Sequence, residues 1–262
     1  MTLPTGTLPE PTGPDVPSWL IQLRDALPDV RGEQLSRFQP PASGGRHSAV
    51  LILFGADEHG PDVLLIERAH TMRSHAGQPA FPGGALDPED GDPTTTGPVA
   101  AALREAREEV GLDAAGVEVL GVLPALFLPP SGFVVHPVIA WWREPHPVGV
   151  VDEAEVAAVL RVPLAELVDP VSRVQVSHPS GYVGPAFEVR DLLVWGFTAG
   201  VLDRLLALGG WEQPWDRDRL RPLDQRALDL ARRGATFPAG LPELAPDASP
   251  ETGRSERGSS WA

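Results

Sequence analysis

The sequence contains no cysteine and no lysine, and each absence excludes a kind of site. Without cysteine there is no disulfide framework, thiolate metal site or cysteine nucleophile. Without lysine there is no Schiff-base chemistry and no P-loop lysine to hold phosphates. Any contact with a phosphate must therefore come from the 21 arginines, from backbone N–H groups or from a metal ion.

The chain also lacks an excess of positive charge and a long apolar run. Its formal net charge of −15 argues against sequence-independent nucleic-acid binding, which needs a basic surface. No run of about 18 apolar residues is present, so no membrane span is predicted. Residues 1–17 have neither the basic nor the apolar region of a signal peptide. We therefore expect a soluble, cytoplasmic protein without nucleic-acid or membrane partners.

The order of the predicted elements indicates one α/β domain between two extensions. Residues 1–45 are predicted to be a proline-rich arm with a short helix capped by Ser18. The domain itself is predicted to occupy residues 46–210. Residues 211–262 are predicted to be a C-terminal extension, largely a disordered tail, with one helical stretch near residues 223–233.

Within the predicted domain, alternation and apolar runs locate the individual elements. Strands are predicted at residues 48–54, 63–66, 117–128, 133–142 and 187–194. Helices are predicted from residue 97 to 110 and from 198 to 208, with a short helix or turn at 153–159. Polar, glycine-containing loops are predicted at residues 68–82 and 87–97.

Three glutamates lie on one face of the predicted helix that Gly111 ends. Glu105 is spaced i,i+3 from Glu108 and i,i+4 from Glu109, so the side chains are neighbours. Each like-charge pair costs roughly 0.2–0.5 kcal/mol, and the last helical turn is also unfavourable for negative charge. A divalent cation would offset this repulsion, because hard ions such as Mg²⁺ bind clustered carboxylates. The alternative is a solvated acidic face in an acidic protein.

The same helix carries a family resemblance. Arg104-Glu105-x-x-Glu108-Glu109-x-Gly111-Leu112, together with Gly84 and the acidic pair Glu89/Asp90, resembles the signature of the Nudix hydrolases. The resemblance implies a Nudix-type α/β/α sandwich with a mixed sheet and a metal-binding loop–helix–loop. It implies that Glu105, Glu108 and Glu109 are catalytic and hold Mg²⁺ or Mn²⁺. It also implies that Arg104 orients the loop by ion pairing.

The loop before this helix departs from the family pattern. Thirteen residues lie between Asp90 and Arg104. Compared with the family, the loop contains about six extra residues within the segment 91–98, and such insertions are thermodynamically cheap. The departure leaves open whether Glu89 or Asp90 takes the role of the loop acid as a further metal ligand.

A second motif upstream resembles the subgroup of coenzyme A diphosphatases. It runs through Leu64-Leu65-Ile66-Glu67-Arg68-Ala69, Arg73, Gly77 and Phe81-Pro82-Gly83-Gly84. The one departure is Ile66, where a threonine is usual. The resemblance implies that Arg68, Arg73, Gly77, Phe81, Gly83 and Gly84 bind the substrate. Arginine suits bidentate phosphate recognition, and glycine permits close backbone approach. The alternative for both arginines is a surface role on a loop.

A weaker resemblance lies in the acidic segment Asp152-Glu153-Ala154-Glu155-Val156. It is similar to the late acidic segment of many Nudix domains. By this resemblance Glu155, or less readily Glu153, is an additional metal ligand or a base. The alternative is a pair of exposed acids on a loop.

Together these motifs predict metal-dependent hydrolysis of the diphosphate bond of coenzyme A or its derivatives. The resemblance implies 3′,5′-ADP and 4′-phosphopantetheine as products. Within enzymes, the substrate could instead be ADP-ribose, a dinucleotide or a nucleoside triphosphate, since a shared fold does not determine the leaving group. In another class, the chain could be a catalytically silent ligand sensor with this fold. The sequence leaves the oligomeric state open, a homodimer included.

Overall fold

The helices lie on both sides of a central sheet in the computed structural model. It describes residues 16–36, 38–41, 44–72, 76–129, 131–179, 181–223 and 228–229. The α-helices are α1 (Ser18–Ala26), α2 (Gly32–Leu35), α3 (Gly97–Val110), α4 (Leu164–Val168) and α5 (Gly196–Leu208). Short 3-10 helices are Leu27–Asp29, Pro88–Asp90, Ala114–Gly116 and Pro170–Ser172. None of the described helices combines the length and apolar character needed to cross a membrane.

Twelve strands are found in the described residues, and they form two sheets. They are β1 (Arg46–Asp57), β2 (Gly60–Arg68), β3 (Pro79–Ala80), β4 (Gly83–Ala85), β5 (Val117–Val122), β6 (Leu126–Leu128), β7 (Phe133–Trp142), β8 (Val156–Pro163), β9 (Arg173–Ser177), β10 (Val183–Val189), β11 (Leu192–Val194) and β12 (Leu220–Pro222). The larger sheet has the order β3-β2-β1-β7-β5, with β8 beside β2, β4 beside β1 and β6 beside β7. Its β1–β7 pair is parallel and its other pairs are antiparallel, so the sheet is mixed.

The large sheet is buried on both faces. One face packs against α3 through side chains that include Leu51, Ala102 and Ala106. The other face packs against α1, α5 and the smaller sheet, whose order is β11-β10-β9-β12. This double coverage explains why the middle of β1 is apolar at consecutive positions instead of alternating. The predicted α/β/α sandwich with a mixed sheet is confirmed.

Both chain extensions pack on the face of the large sheet that lies opposite α3. In α1, Leu20 and Leu23 are fully buried against α5 and the large sheet. After α5, the Trp211 indole donates a hydrogen bond to the carbonyl of Trp19 at 3.2 Å. Strand β12 then adds a parallel edge to β9. Packing therefore continues past residue 210, whereas the segment 231–262 lies outside the described residues.

The structure corrects three predicted elements. Residues 117–128 are not one strand but the two strands β5 and β6, which both pair with β7. Residues 153–155 form the predicted turn, but residues 156–159 are not helical, because β8 begins at Val156 and pairs antiparallel with β2. Residues 187–194 are not one strand but the hairpin of β10 and β11. The chain reverses at Arg190 and Asp191, whose φ angles of 50° and 61° are those of a type I′ turn. The usual glycine or asparagine of such a turn is absent, so no local residue pattern indicated it.

Two smaller differences concern the ends of the chain. Ser18 is the first residue of α1, and Pro17 stands at the N-cap, so the predicted serine cap is not formed. The helix predicted near residues 223–233 falls mostly outside the described residues. Of that segment, the structure describes Leu223, Leu228 and Asp229.

Candidate active site

Three carboxylates converge where the end of α3 meets the start of β8. Each of Glu105, Glu109 and Glu155 offers an oxygen, and these oxygens lie within 4.8 Å of one another. Glu105 and Glu109 face the sheet from α3, which begins with Gly97 and Pro98 and ends at Gly111. Proline suits the first turn, and Gly111 adopts the left-handed conformation, with φ of 73°, that commonly ends a helix.

Two adjacent glycines on β4 allow α3 to approach the sheet at this point. A Cβ on Gly84 would lie 2.3 Å from Oε1 of Glu105. Gly83 has φ of 154°, and a Cβ there would lie 2.3 Å from the carbonyl oxygen of Ala49. Position 83 therefore requires glycine, whereas a side chain at position 84 would displace the Glu105 carboxylate, so the backbone of β4 lies directly against the carboxylate cluster.

Glu109 is the most buried of the three, with 1% of its surface exposed. Its Oε2 accepts a hydrogen bond from the Gly83 N–H at 2.9 Å. Among the described residues, Oε1 accepts no hydrogen bond, and Nη1 of Arg68 lies 3.9 Å from it. Burial raises the pKa of Glu109 to about 8, against the lowering effects of Gly83 and Arg68. A buried carboxylate in this condition is stabilised by a bound cation.

Glu105 lies in a similar environment but is less buried than Glu109. Burial raises the pKa of its carboxyl group, and the guanidinium of Arg104 opposes that rise. The buried carboxyl group of Glu109, which has an oxygen without a hydrogen bond among the described residues, and the half-buried groups of Glu105 and Glu155 together fit a divalent cation. Oxygen ligands of this kind match Mg²⁺ or Mn²⁺ and not a thiolate-preferring metal.

Arg104 binds the loop that precedes α3. Its Nε and Nη2 donate to the two oxygens of Asp90 at 3.0 and 2.9 Å, and Nη2 also donates to the Ala85 carbonyl at 3.0 Å. Its Nη1 donates to Glu105 at 3.0 Å and to Glu108 at 3.1 Å. The hydrogen bonds from Arg104 hold the pKa of Asp90 below its usual value. Arg104 thus connects the loop, the β4 backbone and the helix.

The acids predicted as metal ligands do not all lie in the carboxylate cluster. Glu155 joins the cluster, whereas both oxygens of Asp90 are bound by Arg104. Glu89 is exposed. The side chain of Glu108 is 51% exposed and pairs with Arg104, and it is not one of the three converging carboxylates.

The residues predicted to bind substrate also occupy different surroundings. Arg68 reaches the cluster from the end of β2, and its backbone N–H and carbonyl bond to Gln78 and Gly77 respectively. Phe81 is 2% exposed and packs in the core against α5 and the second sheet. Arg73 lies outside the described residues.

The segment that brings Glu155 into place was not predicted. Residues 143–155 connect β7 to β8 and bond to the end of α3 through backbone groups. The amides of Gly149 and Val151 donate to the carbonyls of Val110 and Glu109 at 3.1 and 3.0 Å. Such contacts depend on the tertiary position of the segment, so no local sequence pattern could have indicated them.

The chain is similar to known proteins of one family. A family model described as the NUDIX domain matches residues 45–180. The uncharacterized Nudix hydrolase NudL of Cronobacter sakazakii is 41% identical over 194 residues, covering 69% of this chain and 94% of that protein. NudL of Citrobacter koseri is 38% identical over 185 residues, covering 68% and 86%. A solved Nudix hydrolase of M. smegmatis, RenU, has 24% identity, covers 67% of this chain and 92% of its own, and has a TM-score of 0.45.

Proposed function

We propose that the substrate of this protein is coenzyme A or an acyl derivative. The chain belongs to the Nudix family, and it is a hydrolase that acts on pyrophosphate bonds of nucleoside diphosphate derivatives. The expected products are 3′,5′-ADP and the corresponding 4′-phosphopantetheine. The proposal includes action in the cytoplasm on a small-molecule substrate. The single observation that best supports the chemistry is the convergence of Glu105, Glu109 and Glu155 beside Arg68.

The three carboxylates would hold the metal. When bound, Mg²⁺ or Mn²⁺ would neutralise charge on the diphosphate oxygens and lower the pKa of a coordinated water. The Oε2 atom of Glu109 is held by the Gly83 N–H, and its Oε1 accepts no hydrogen bond among the described residues, so Oε1 is the atom that would bind the metal. A carboxylate of the cluster that is not fully used as a ligand would take the proton of the attacking water. The water oxygen would bond in line to one phosphorus while the bridging P–O bond breaks and the other phosphate group leaves.

The arginines divide into two roles. Arg68 is half-buried beside Glu109, where a guanidinium can pair with a diphosphate oxygen once the carboxylates are neutralised by metal. Arg104 uses its donors on Asp90, Ala85 and the helix glutamates. It therefore acts as a positioning residue that holds the loop against α3.

The coenzyme A assignment depends on the upstream motif around Arg68 and Arg73. Coenzyme A combines a diphosphate with a separate 3′-phosphate, and a chain without lysine must meet both groups with arginine or backbone donors. Arg68, Gly77 and Gly83 lie in one hydrogen-bonded region next to the carboxylate cluster. The backbone N–H groups of Arg68, Gly77 and Gly83 are used within the protein, so this region offers the Arg68 guanidinium to a phosphate ligand.

A substrate panel tests the proposal directly. Purified protein is incubated with Mg²⁺ or Mn²⁺ and with coenzyme A, acetyl-coenzyme A, ADP-ribose or a diadenosine polyphosphate, and the products are identified by mass. Coenzyme A or its acetyl form should give the highest kcat/KM, with 3′,5′-ADP as the common product. Faster cleavage of ADP-ribose or of the dinucleotide would contradict the coenzyme A assignment. The variant Glu109→Gln provides the control for a contaminating hydrolase.

A further inference from the structure

The segment that delivers Glu155 to the cluster is held mainly by hydrogen bonds. Residues 143–155, here called the strap, are mostly exposed; His146, Val148 and Glu155 are the half-buried members. A segment with so little apolar burial has low local stability unless polar contacts fix it. The contacts of the strap therefore determine how well Glu155 is kept beside Glu105 and Glu109.

The strap is attached to the end of α3 at two levels. Gly149 and Val151 donate backbone hydrogen bonds to the last turn of the helix, including the carbonyl of Glu109 itself. Further on, the carbonyl of Asp152 accepts from the Glu155 N–H at 3.1 Å, and the carbonyl of Glu155 accepts from the Ala69 N–H at 2.8 Å. These bonds join the strap to the helix that carries Glu109 and to the strand end beside Arg68.

Two side chains of the strap bond to the segment after α3: Arg143, whose Nη2 donates to the Ala115 carbonyl at 3.2 Å, and His146, which lies nearer to Glu155 in the chain. Nε2 of His146 accepts a hydrogen bond from the Asp113 N–H at 2.9 Å, and its Nδ1 lies 3.0 Å from the Pro147 carbonyl. An acceptor at Nε2 and a carbonyl at Nδ1 together require the neutral tautomer with its hydrogen on Nδ1. The ring also contacts Trp142 edge to face, with centroids 5.4 Å apart. The imidazole is thus held on three sides at the point where the strap begins.

We propose that His146 is a positioning residue that fastens the strap to the end of α3 and thereby keeps Glu155 in the carboxylate cluster. This rests on the proposed function in one respect, since it takes the cluster to be the metal site. His146 itself touches neither substrate nor metal. Its effect on the metal passes through the fraction of molecules in which the strap is attached.

The size of the effect follows from that fraction. When a ligand needs a conformation that is only partly populated, its apparent affinity falls in proportion to the populated fraction. Replacing His146 by alanine removes one acceptor and leaves the Asp113 N–H to solvent. We expect the apparent Kd for Mn²⁺ to rise several-fold, up to about 10-fold, which is the most that the loss of one modest hydrogen bond contributes through the attached fraction.

A double-mutant cycle with Glu155 tests the proposal without any substrate. Mn²⁺ binding is measured by electron paramagnetic resonance in the wild type, His146→Ala, Glu155→Gln and the double variant. If His146 acts through Glu155, Glu155→Gln weakens Mn²⁺ binding, and His146→Ala causes no further loss in that background. Equal loss in both backgrounds would overturn the proposal, as would an unchanged Kd in either single variant.

Two further variants separate positioning from general damage. Gln at position 146 can place its Oε1 near the position of Nε2, so His146→Gln should retain most of the wild-type Mn²⁺ affinity. His59→Ala, in the exposed turn between β1 and β2, is the matched control and should change nothing. If His146→Gln is as weak as His146→Ala, the acceptor at Nε2 is not the cause. Failure of the coenzyme A assay with an intact Mn²⁺ cycle would remove the proposed substrate and leave the positioning role standing.

Discussion

Arg104 donates two hydrogen bonds to Asp90, from Nε to Oδ1 at 3.0 Å and from Nη2 to Oδ2 at 2.9 Å. This bidentate pair closes the lengthened loop between β4 and α3. The side chain of Asp90 is 5% exposed, so the pair is well shielded on one side, while Arg104 is 21% exposed. Asp90 is therefore used to hold the loop, and the three clustered glutamates are left for other ligands.

The first prediction concerns this pair. Replacing Asp90 by asparagine leaves one acceptor and removes the charge, and we expect a loss of about 1–2 kcal/mol of stability after allowance for the exposure of Arg104. Turnover should fall as well, because the loop sets the approach of β4 to α3. Urea unfolding and kcat measured in parallel check both effects. Asp87→Asn is the matched control, since that carboxylate is 59% exposed and lies 3.6 Å from Arg104. Equal stabilities for Asp90→Asn and Asp87→Asn would contradict this account.

The second prediction concerns Glu109. Glutamine at this position can still accept from the Gly83 N–H, but it cannot supply a charged ligand. Turnover of Glu109→Gln should be abolished, while the metal-free protein should be no less stable than the wild type. The reason is that burial, which raises the pKa of Glu109 to about 8, makes the ionised form unfavourable without a cation. Steady-state kinetics at saturating Mg²⁺ and thermal unfolding in EDTA provide the two measurements.

The matching control for Glu109→Gln is Glu58→Gln, because the side chain of Glu58 is 86% exposed in a turn. It should leave both activity and stability unchanged. Glu108→Gln is informative as a third variant. Glu108 lies outside the carboxylate cluster and pairs with Arg104. Its replacement should abolish turnover as well only if the Glu108 side chain moves into the metal site when metal binds. Wild-type kcat in Glu109→Gln would show that Glu109 is not a ligand of the catalytic metal.

Much of the fold followed from local signals in the sequence. The helix predicted from residue 97 to 110 is α3, because Pro98 and Gly111 determine its ends by their own backbone preferences. Strand β7 matches the predicted range at both ends, since a turn precedes it and a polar residue, Arg143, follows it. The glutamate spacing on α3 also placed Glu105 and Glu109 on one face, as the structure has them.

The rest depended on tertiary contacts that no local pattern encodes. The alanines near residue 157 favour a helix, but pairing with β2 makes the segment the strand β8. Glu155 was one of several open candidates, and it joins the cluster because the strap bonds to α3 and to Ala69. Asp90 was an equally good candidate by spacing, yet Arg104 occupies both of its oxygens. Which acid converges with which is thus a property of the assembled sheet.

The third prediction concerns the N-terminal helix. Leu23 in α1 is fully buried, so Leu23→Ala should cost about 2–5 kcal/mol through lost burial and a residual cavity. Removing residues 1–14 and 242–262, which lie outside the described residues, should in contrast leave Tm and activity nearly unchanged, because these segments are rich in proline, serine or charge. Urea unfolding of each variant measures the difference. A loss of several degrees in Tm on truncation would show that an end packs on the domain.

The fourth prediction concerns pH and the pair His47 and His136. Nδ1 of His47 lies 3.0 Å from Nε2 of His136, and burial, aided by the neighbouring His47, lowers the pKa of His136 to about 4. Between about pH 6.5, the ordinary pKa of histidine, and pH 4 the unfolded chain binds more protons than the folded one. Stability should therefore be complete above pH 6.5 and fall as the pH drops towards 4.

A comparison of variants isolates this contribution. Stability is measured by urea unfolding at pH 7 and pH 5 in EDTA for the wild type and for His136→Gln. Carboxylates titrate in both proteins, so only the difference between the two pH dependences reports on His136. The wild type should lose more stability than the variant between these pH values. Identical losses would show that His136 takes up a proton in the folded protein as readily as in the unfolded chain.

The last prediction separates coenzyme A from its rivals by its 3′-phosphate, which dephospho-coenzyme A and ADP-ribose lack. A charge-assisted hydrogen bond to that group contributes on the order of 1.5–3 kcal/mol, roughly 10- to 150-fold in kcat/KM. Coenzyme A should exceed dephospho-coenzyme A by about that factor. Arg68 lies 3.9 Å from Glu109 at the carboxylate cluster, which suits it to the diphosphate. Arg68→Ala should therefore slow both substrates to a similar degree.

The 3′-phosphate is then assigned to Arg73, the second arginine of the upstream motif, which lies outside the described residues. Arg73→Ala should reduce the preference for coenzyme A and spare the hydrolysis of dephospho-coenzyme A, because that substrate has no group for the lost guanidinium to contact. Values of kcat/KM for both substrates in both variants give the complete comparison. If Arg68→Ala removes the preference and Arg73→Ala does not, the two assignments are reversed. Equal rates of the wild type on both substrates would retire coenzyme A as the substrate and leave hydrolysis at the carboxylate cluster intact.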